Sequence, residues 1–361
     1  MIYLILVAAI LFLPILTDKI QHGKKLYFTI ITIMLIFFAG FRHFSVGVDT
    51  NSYVTGFWRC QPFSEVNWWE FIKEEQEFLY FMYRSLVRQF TNSYTVFLLP
   101  VSIFYITVVA RFIYKYSDYP SISFLVFLSM SYYAFSMAGI RQTLGYAFLV
   151  LATEALMNRK RLLCCLYIII AGGFHVTSLL YFVVLLIDIV PFGLIFLGFI
   201  GIASMVCYTY AMAFTQFFVE MFDKSETLLK IEFGGNVVLG VVVLVSIAAL
   251  LLHSELFKKA QPELRPNGKP CMSALQREQF FMKMVLFSIP LLIMVMFQAN
   301  IFRIASMFHF YMMFLIPAVL KRQKDAYIQV IGKIIVYLAL LVELFVFTYN
   351  AATIFPYNFA W

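Results

Sequence analysis

The chain has 361 residues, of which 63% are hydrophobic and only 13% carry a charge. Soluble globular domains are about 45–50% apolar and about 25% charged, so this composition excludes an ordinary soluble enzyme, a disordered tail and a disulfide-rich scaffold. The net charge is +8. In a membrane protein such an excess indicates basic cytoplasmic loops, so we expect no nucleic-acid partner.

The apolar residues form long runs separated by short charged clusters, the pattern of an all-α polytopic membrane protein. The runs predict about twelve transmembrane helices in a single integral membrane domain over residues 1–361, the first run being a retained span and not a signal peptide. The predicted spans are Ile2–Leu16, Leu26–Phe41, Ser93–Tyr114, Ser121–Met137, Ile140–Met157, Leu162–Phe174, Val176–Val190, Phe192–Phe214, Asn236–Leu256, Phe280–Ala299, Ile301–Leu320 and Ile328–Thr348.

The distribution of lysine and arginine predicts the orientation of these spans. Sixteen basic residues lie in one set of alternate loops and nine in the other. Because cytoplasmic loops are enriched in lysine and arginine, the first set is predicted to be cytoplasmic and both termini to lie outside. The longer outer loops then cover about 42–92 and 215–235, and a cytoplasmic loop covers about 257–279.

Residues 77–90, EFLYFMYRSLVRQF, are apolar enough to resemble a further span. Counting them as a span would move the basic cluster at 158–161 to the outside. Arg84 and Arg88 also lie one helical turn apart on this segment. We therefore predict an amphipathic helix that lies on the outer surface or re-enters from it, with a thirteenth short span as the alternative.

Three outer arginines lie at the ends of predicted spans: Arg42, Arg141 and Arg303. A charge near membrane depth is costly and marks a candidate functional residue. The guanidinium group presents a planar set of donors that fits phosphate oxygens. We predict that these three arginines bind a diphosphate; the alternative is that they extend to lipid headgroups.

Four residues on the outer side are candidates for a catalytic base. His175 lies in AGGFHVTSLL at a predicted outer boundary, and histidine titrates near neutral pH. Asp49 follows the turn at Gly47, and Glu75 and Glu77 precede the amphipathic segment. The structural alternatives are that His175 caps a helix hairpin, that Asp49 caps the next helix, and that the glutamates favour a helix N-terminus.

The long outer loop is rich in aromatic residues, which suit either a membrane-interface belt or a sugar-stacking surface. We expect Tyr53, Trp58, Arg84 and Gln142 to contact sugar. The chain has no P-loop, GxGxxG, HExxH or paired CxxC motif, and its five cysteines are scattered. We accordingly expect no metal and no cofactor.

Six segments occur in an order and spacing that are together specific, although each is weak alone. They are FRHFSVGVDTNSY, EFLYFMYRSLVRQF, IRQTLGYAFLVLA, GGFHVTSLLYFVVLL, FRIASMFHFYMMFLIP and IFPYNFAW. On these segments the chain resembles the EpsG family of bacterial exopolysaccharide polymerases, which are Wzy-like proteins.

The resemblance implies a multi-pass protein of the bacterial plasma membrane that joins oligosaccharide repeat units carried on undecaprenyl diphosphate at the outer face. It implies a metal-independent glycosyl transfer in which the lipid diphosphate leaves. The implied partners are the lipid-linked oligosaccharide, membrane lipids, a chain-length regulator and a flippase. The alternatives are a lipid-linked oligosaccharide flippase or transporter, and another membrane glycosyltransferase or acyltransferase.

Overall fold

The computed structural model describes residues 2–17, 19–69, 71, 77–211, 213, 235–266, 268–348, 354 and 357–360. The predicted outer loop at 215–235 and Glu75 therefore lie outside the described residues, except for Gly235. The described α-helices are α1 (Ile2–Thr17), α2 (Gly23–Gly40), α3 (Thr50–Arg59), α4 (Phe78–Phe90), α5 (Tyr94–Tyr116), α6 (Pro120–Ser129), α7 (Tyr132–Ala138), α8 (Ile140–Met157), α9 (Arg161–Phe174), α10 (Val183–Ile189), α11 (Leu194–Thr209), α12 (Gly235–Leu252), α13 (Ala274–Val295), α14 (Ile301–His309), α15 (Met312–Lys321) and α16 (Ala326–Val342).

Shorter elements complete the described fold. Three 3-10 helices cover Phe63–Glu65, Val176–Phe182 and Ser254–Phe257, and a π-helix follows α16 at Glu343–Thr348. A two-stranded antiparallel hairpin pairs β1 (Glu263–Leu264) with β2 (Pro270–Cys271). Helices dominate because a backbone in a membrane must satisfy its hydrogen bonds internally.

Five helices among the described residues are long and apolar enough to cross a membrane, or six if the bent pair α6 and α7 forms one span. They are Gly23–Gly40, Tyr94–Tyr116, Ala274–Val295, Ile301–Lys321, which comprises α14 and α15, and Ala326–Val346, which runs from α16 into the π-helix. Five shorter apolar helices accompany them. The prediction of a multi-pass helical membrane protein is thus confirmed, whereas the count of twelve spans and the outer location of both termini stay predictions.

Helix α4 matches the predicted amphipathic segment. It has 13 residues, which corresponds to a length of about 20 Å. A span must cross about 30 Å of hydrocarbon, so α4 is too short to be a straight thirteenth span.

The chain divides into two compact units. The first comprises Met1–Ala155, Arg161–Leu179 and Leu338–Trp361. Here α2 packs against α1 and α5, and α4 packs against α3, α5 and α9. A buried apolar cluster lies under α4, where the Phe57 and Phe97 rings stack with centroids 4.7 Å apart and Tyr80 and Leu144 join them.

The second unit comprises Leu156–Lys160 and Leu180–Tyr337. Helix α13 is its central element and contacts α10, α11, α12, α14 and α15. A capping box starts this helix, because the Ser273 hydroxyl accepts the Gln276 backbone N–H and the Gln276 side chain accepts the Ser273 N–H, both at 3.3 Å. The predicted span Ile301–Leu320 is observed as two helices, α14 and α15, which adjoin at Phe310–Tyr311.

Candidate functional site

Glu77, Arg141 and His175 form one hydrogen-bonded cluster in the first unit. The Oε1 atom of Glu77 accepts hydrogen bonds from His175 Nδ1, at a distance of 2.6 Å, and from the backbone nitrogen of Val176, at 3.2 Å. The guanidinium of Arg141 donates to Oε2 of the same carboxylate. A carboxylate can only accept, so His175 carries a proton on Nδ1. Three residues far apart in sequence thus meet at one carboxylate.

The ends of three helices place these side chains. Glu77 immediately precedes α4, Arg141 lies in the first turn of α8, and His175 immediately follows α9. Gly173 allows α4 to approach α9, because a Cβ atom at this position would lie only 2.6 Å from Cδ1 of Leu79 and 2.8 Å from its Cγ. The close packing of α4 on α9 therefore brings Glu77 to His175.

The carboxylate and the imidazole are buried, with Glu77 8% and His175 6% exposed. The Arg141 side chain is 38% exposed and can reach a ligand while paired with Glu77. Burial alone would raise the pKa of Glu77, but the hydrogen bond and charge of His175 and the charge of Arg141 outweigh burial and hold that pKa below its usual 4.5. Glu77 therefore stays ionised at neutral pH, which suits it to orienting His175 rather than to accepting a proton itself.

Aromatic rings flank the two arginines of this region. The Arg141 Cζ atom lies 5.7 Å from the Tyr53 ring centroid and 5.8 Å from that of Tyr80. The Arg84 Cζ atom lies 5.9 Å from the Tyr80 centroid and 4.5 Å from that of Phe81. Cation–π contacts of this kind help to hold a guanidinium in place, and Arg141 also has a side-chain hydrogen bond with Tyr53.

Arg42 has a different environment from Arg141. It is 1% exposed, and its two terminal nitrogens donate to the backbone carbonyls of Ala39 and, at 2.7 Å, Met137. The Thr50 hydroxyl donates to the same Met137 carbonyl at 2.8 Å. Gly47, with φ +98°, approaches it so closely that a Cβ atom would lie 2.7 Å from the Met137 oxygen.

The segment FRHFSVGVDTNSY therefore contacts the end of α7 at Met137. Met137 lies four residues before Arg141 in the sequence. Burial lowers the pKa of Arg42 to about 10, so the group remains charged at neutral pH. A diphosphate role for Arg42 stays a prediction, and its burial disfavours that role because a side chain that is 1% exposed does not reach a bound ligand.

The family model of the EpsG family matches residues 25–359. The chain belongs to the EpsG family. No curated protein and no solved structure matches the chain significantly. Membership in the EpsG family indicates a polysaccharide polymerase-like membrane protein and is associated with glycosyltransferase-like activity. The matched residues include the whole Glu77 cluster.

The other predicted site residues of this EpsG family member lie in varied settings. Asp49 is half-buried at the N-cap position of α3, but its side chain makes no capping hydrogen bond. Trp58 is 42% exposed, and its indole N–H donates to the Asn92 carbonyl at 3.1 Å. Gln142 is buried and donates to the Tyr146 hydroxyl at 2.9 Å. Arg303 is half-buried on α14 in the second unit, and its part in a diphosphate site stays a prediction.

Sequence reasoning did not find a second cluster of similar composition. In the second unit, His253 Nε2 lies 2.7 Å from Glu278 Oε2, and Arg322 donates to both Glu278 oxygens at 3.0 and 3.2 Å. No sequence spacing links these three residues, so only the fold reveals them. Within the part of the chain that the structure describes, no group of three or more His, Cys, Asp or Glu residues is placed to hold a metal ion.

Proposed function

We propose that this EpsG family protein is a bacterial polysaccharide polymerase that joins undecaprenyl-diphosphate-linked oligosaccharide repeat units at the extracytoplasmic face of the plasma membrane. The observation that carries the proposal is the cluster in which Glu77 binds both His175 and Arg141. It combines a histidine suited to proton transfer with a partly exposed arginine suited to phosphate, which are the two groups that this reaction needs.

In the proposed reaction a hydroxyl at the nonreducing end of the incoming unit attacks the anomeric carbon of the growing chain. The bond between that carbon and the diphosphate oxygen breaks, and the lipid diphosphate leaves with the electron pair. The hydroxyl proton passes to Nε2 of His175, whose ring Glu77 orients through Nδ1. Arg141 stabilises the negative charge that develops on the diphosphate.

The remaining predicted residues enter the proposal in supporting roles. Arg42 positions the turn that carries Arg141, and a phosphate contact by Arg303, which belongs to the second unit, stays a prediction from the sequence. Tyr53, Trp58 and Arg84 contact the sugars, and Asp49 is the alternative base. A sugar contact by Gln142, which is buried, stays a prediction from the sequence. A flippase that supplies the substrate and a chain-length regulator are the expected protein partners.

The test is a comparison of lipid-linked saccharides in cells that carry single variants. We expect Arg141→Ala and Arg303→Ala to lower polymer formation by roughly 100-fold or more, the usual cost of removing a group that stabilises developing negative charge. Single repeat units should then accumulate on the lipid at the outer face. Arg59→Ala is the matched control, because Arg59 is an exposed outer arginine at the end of α3 and lies outside the cluster.

Long polymer from both the Arg141 and Arg303 variants would refute the proposed diphosphate role. A deletion strain distinguishes the main alternative. Lipid-linked single units at the outer face indicate a polymerase, whereas units trapped at the inner face indicate a flippase.

A further inference from the structure

A cavity of about 380 Å³ lies in the second unit, and none of the residues named in the proposed reaction lines it. Four basic side chains line it, together with one carboxylate: Arg159, Lys258, Lys259 and Lys283, and Asp188. Arg159, Lys258 and Lys259 belong to loops that the charge distribution assigns to the cytoplasmic side, and Lys283 lies within α13.

On the inner wall of the cavity, hydrogen bonds within the protein hold Lys283 and Arg159 in place. Lys283 is 5% exposed, and its Nζ donates to the backbone carbonyls of Ile187 and, at 2.8 Å, Val190, where α10 ends. Arg159 donates to both oxygens of Asp188 at 3.0 and 3.2 Å. Arg159 also adopts a left-handed φ of 56°, which is uncommon for a residue other than glycine. These bonds fix positive charge in place before any ligand arrives.

The outer wall leaves positive charge accessible. Lys259 is exposed, and Lys258 is exposed and pairs with Glu255 at 2.5 Å. Four basic groups against the carboxylates of Asp188 and Glu255 leave an excess of two positive charges. An excess of this size complements a phosphate group.

The rim of the cavity is apolar. The rings of Phe192 and Phe257 contact each other with centroids 5.5 Å apart. Immediately after Phe192, α11 begins with Leu194 and Ile195, which are 80% and 88% exposed. A free phosphate would make no contact with these apolar side chains, whereas an acyl chain attached to the phosphate would cover them.

We infer that this cavity binds the phosphate headgroup of an anionic membrane lipid, with the exposed Lys258 and Lys259 holding the phosphate and the start of α11 contacting an acyl chain. The inference does not depend on the proposed polymerase reaction. Binding at this cavity differs from a general attraction of basic loops to the membrane, because it depends on the lysines that line the cavity and not on other exposed lysines.

The test uses the purified full-length protein and measures phosphatidic acid binding by native mass spectrometry. We expect the double variant Lys258→Gln/Lys259→Gln to weaken binding roughly 25-fold, about five-fold for each basic residue removed near a lipid surface. Both lysines are exposed, so this variant should fold normally. The control Lys269→Gln/Lys324→Gln removes the same charge from exposed lysines outside the cavity lining and should bind as the unchanged protein does.

Two outcomes would overturn the inference. An equal loss in the cavity and control variants would show diffuse attraction and no site. Inorganic phosphate is the second probe, and binding as tight as that of phosphatidic acid would show that the lipid part contributes nothing. The inference stands if only the cavity variant loses binding and inorganic phosphate binds more weakly.

Discussion

At the scale of single residues, the environment of each charge decides its role. Glu77 and Asp49 are both carboxylates near the same predicted surface, but Glu77 is buried and accepts from His175, Arg141 and Val176. Asp49 is half-buried and makes no capping hydrogen bond with its side chain. A buried carboxylate that accepts three hydrogen bonds is held in the charged state. Glu77 therefore links His175 and Arg141 through its two oxygens.

Glu77→Gln should make the protein less stable in a pH-dependent way. The folded pKa of Glu77 lies below its usual 4.5, so its charge stabilises the fold above that pH, and the contribution is lost as pH falls through the folded value. We expect the variant to be less stable by about 1–3 kcal/mol at neutral pH, with the difference shrinking below about pH 4.5. Thermal unfolding in detergent over this pH range measures it.

Glu65→Gln is the matched control, since Glu65 is exposed. A stability difference for Glu77→Gln that did not change with pH would contradict the assigned ionisation of Glu77.

At the scale of elements, the site depends on how closely short helices approach each other. Helix α4 packs on α9 through Leu79 and Gly173, and this packing sets the distance from Glu77 to His175. Gly47 similarly allows the loop before α3 to approach the end of α7. At Gly47 a methyl group would collide with the Met137 backbone carbonyl, and at Gly173 it would force the Leu79 side chain to shift.

Gly173→Ala should therefore separate α4 from α9 and lower polymer formation roughly 10-fold, because displacement of a catalytic group by a fraction of an ångström is costly. Polymer length and yield in cells measure the effect. Gly201→Ala is the control, since nothing lies within 4 Å of a Cβ atom there. Adding Leu79→Ala should restore part of the activity of Gly173→Ala, and full activity of Gly173→Ala alone would show that the packing is not required.

At the scale of the whole molecule, the unequal distribution of basic residues between loops predicts how the protein is oriented in the membrane. The chain belongs to the EpsG family over residues 25–359, and its basic residues favour one set of loops. In the predicted topology the loops that carry Arg159, Lys258 and Lys259 are cytoplasmic, and the loop that carries Glu77 is on the outer side. The orientation therefore decides whether the proposed polymerase site faces outward.

Cysteine accessibility tests this orientation. In a background without native cysteines, a membrane-impermeant thiol reagent added to intact cells should label Lys224→Cys and should fail to label Arg265→Cys. The reason is that positively charged short loops remain in the cytoplasm. Permeabilised cells are the control, in which both positions should react. The reverse pattern in intact cells would overturn the topology and the outward site.

Local pattern predicted much of the helical structure. The predicted span Ile140–Met157 has the observed bounds of α8, and the segment proposed as an amphipathic helix is α4. Residue type together with position in the predicted topology also selected Glu77, Arg141 and His175 as candidates. It did not distinguish Glu77 from Asp49, or Arg141 from Arg42, because each distinction depends on which backbone or side-chain groups lie nearby.

The amino-acid sequence by itself determined that this is a helical membrane protein of the EpsG family, because long apolar runs and ordered motifs are properties of the chain that can be read locally. Only the tertiary structure decided that one carboxylate joins His175 to Arg141 and that Arg42 holds backbone carbonyls. It also assembled the basic cavity around Lys283. These features depend on distances between elements remote in sequence, and such distances are set by packing.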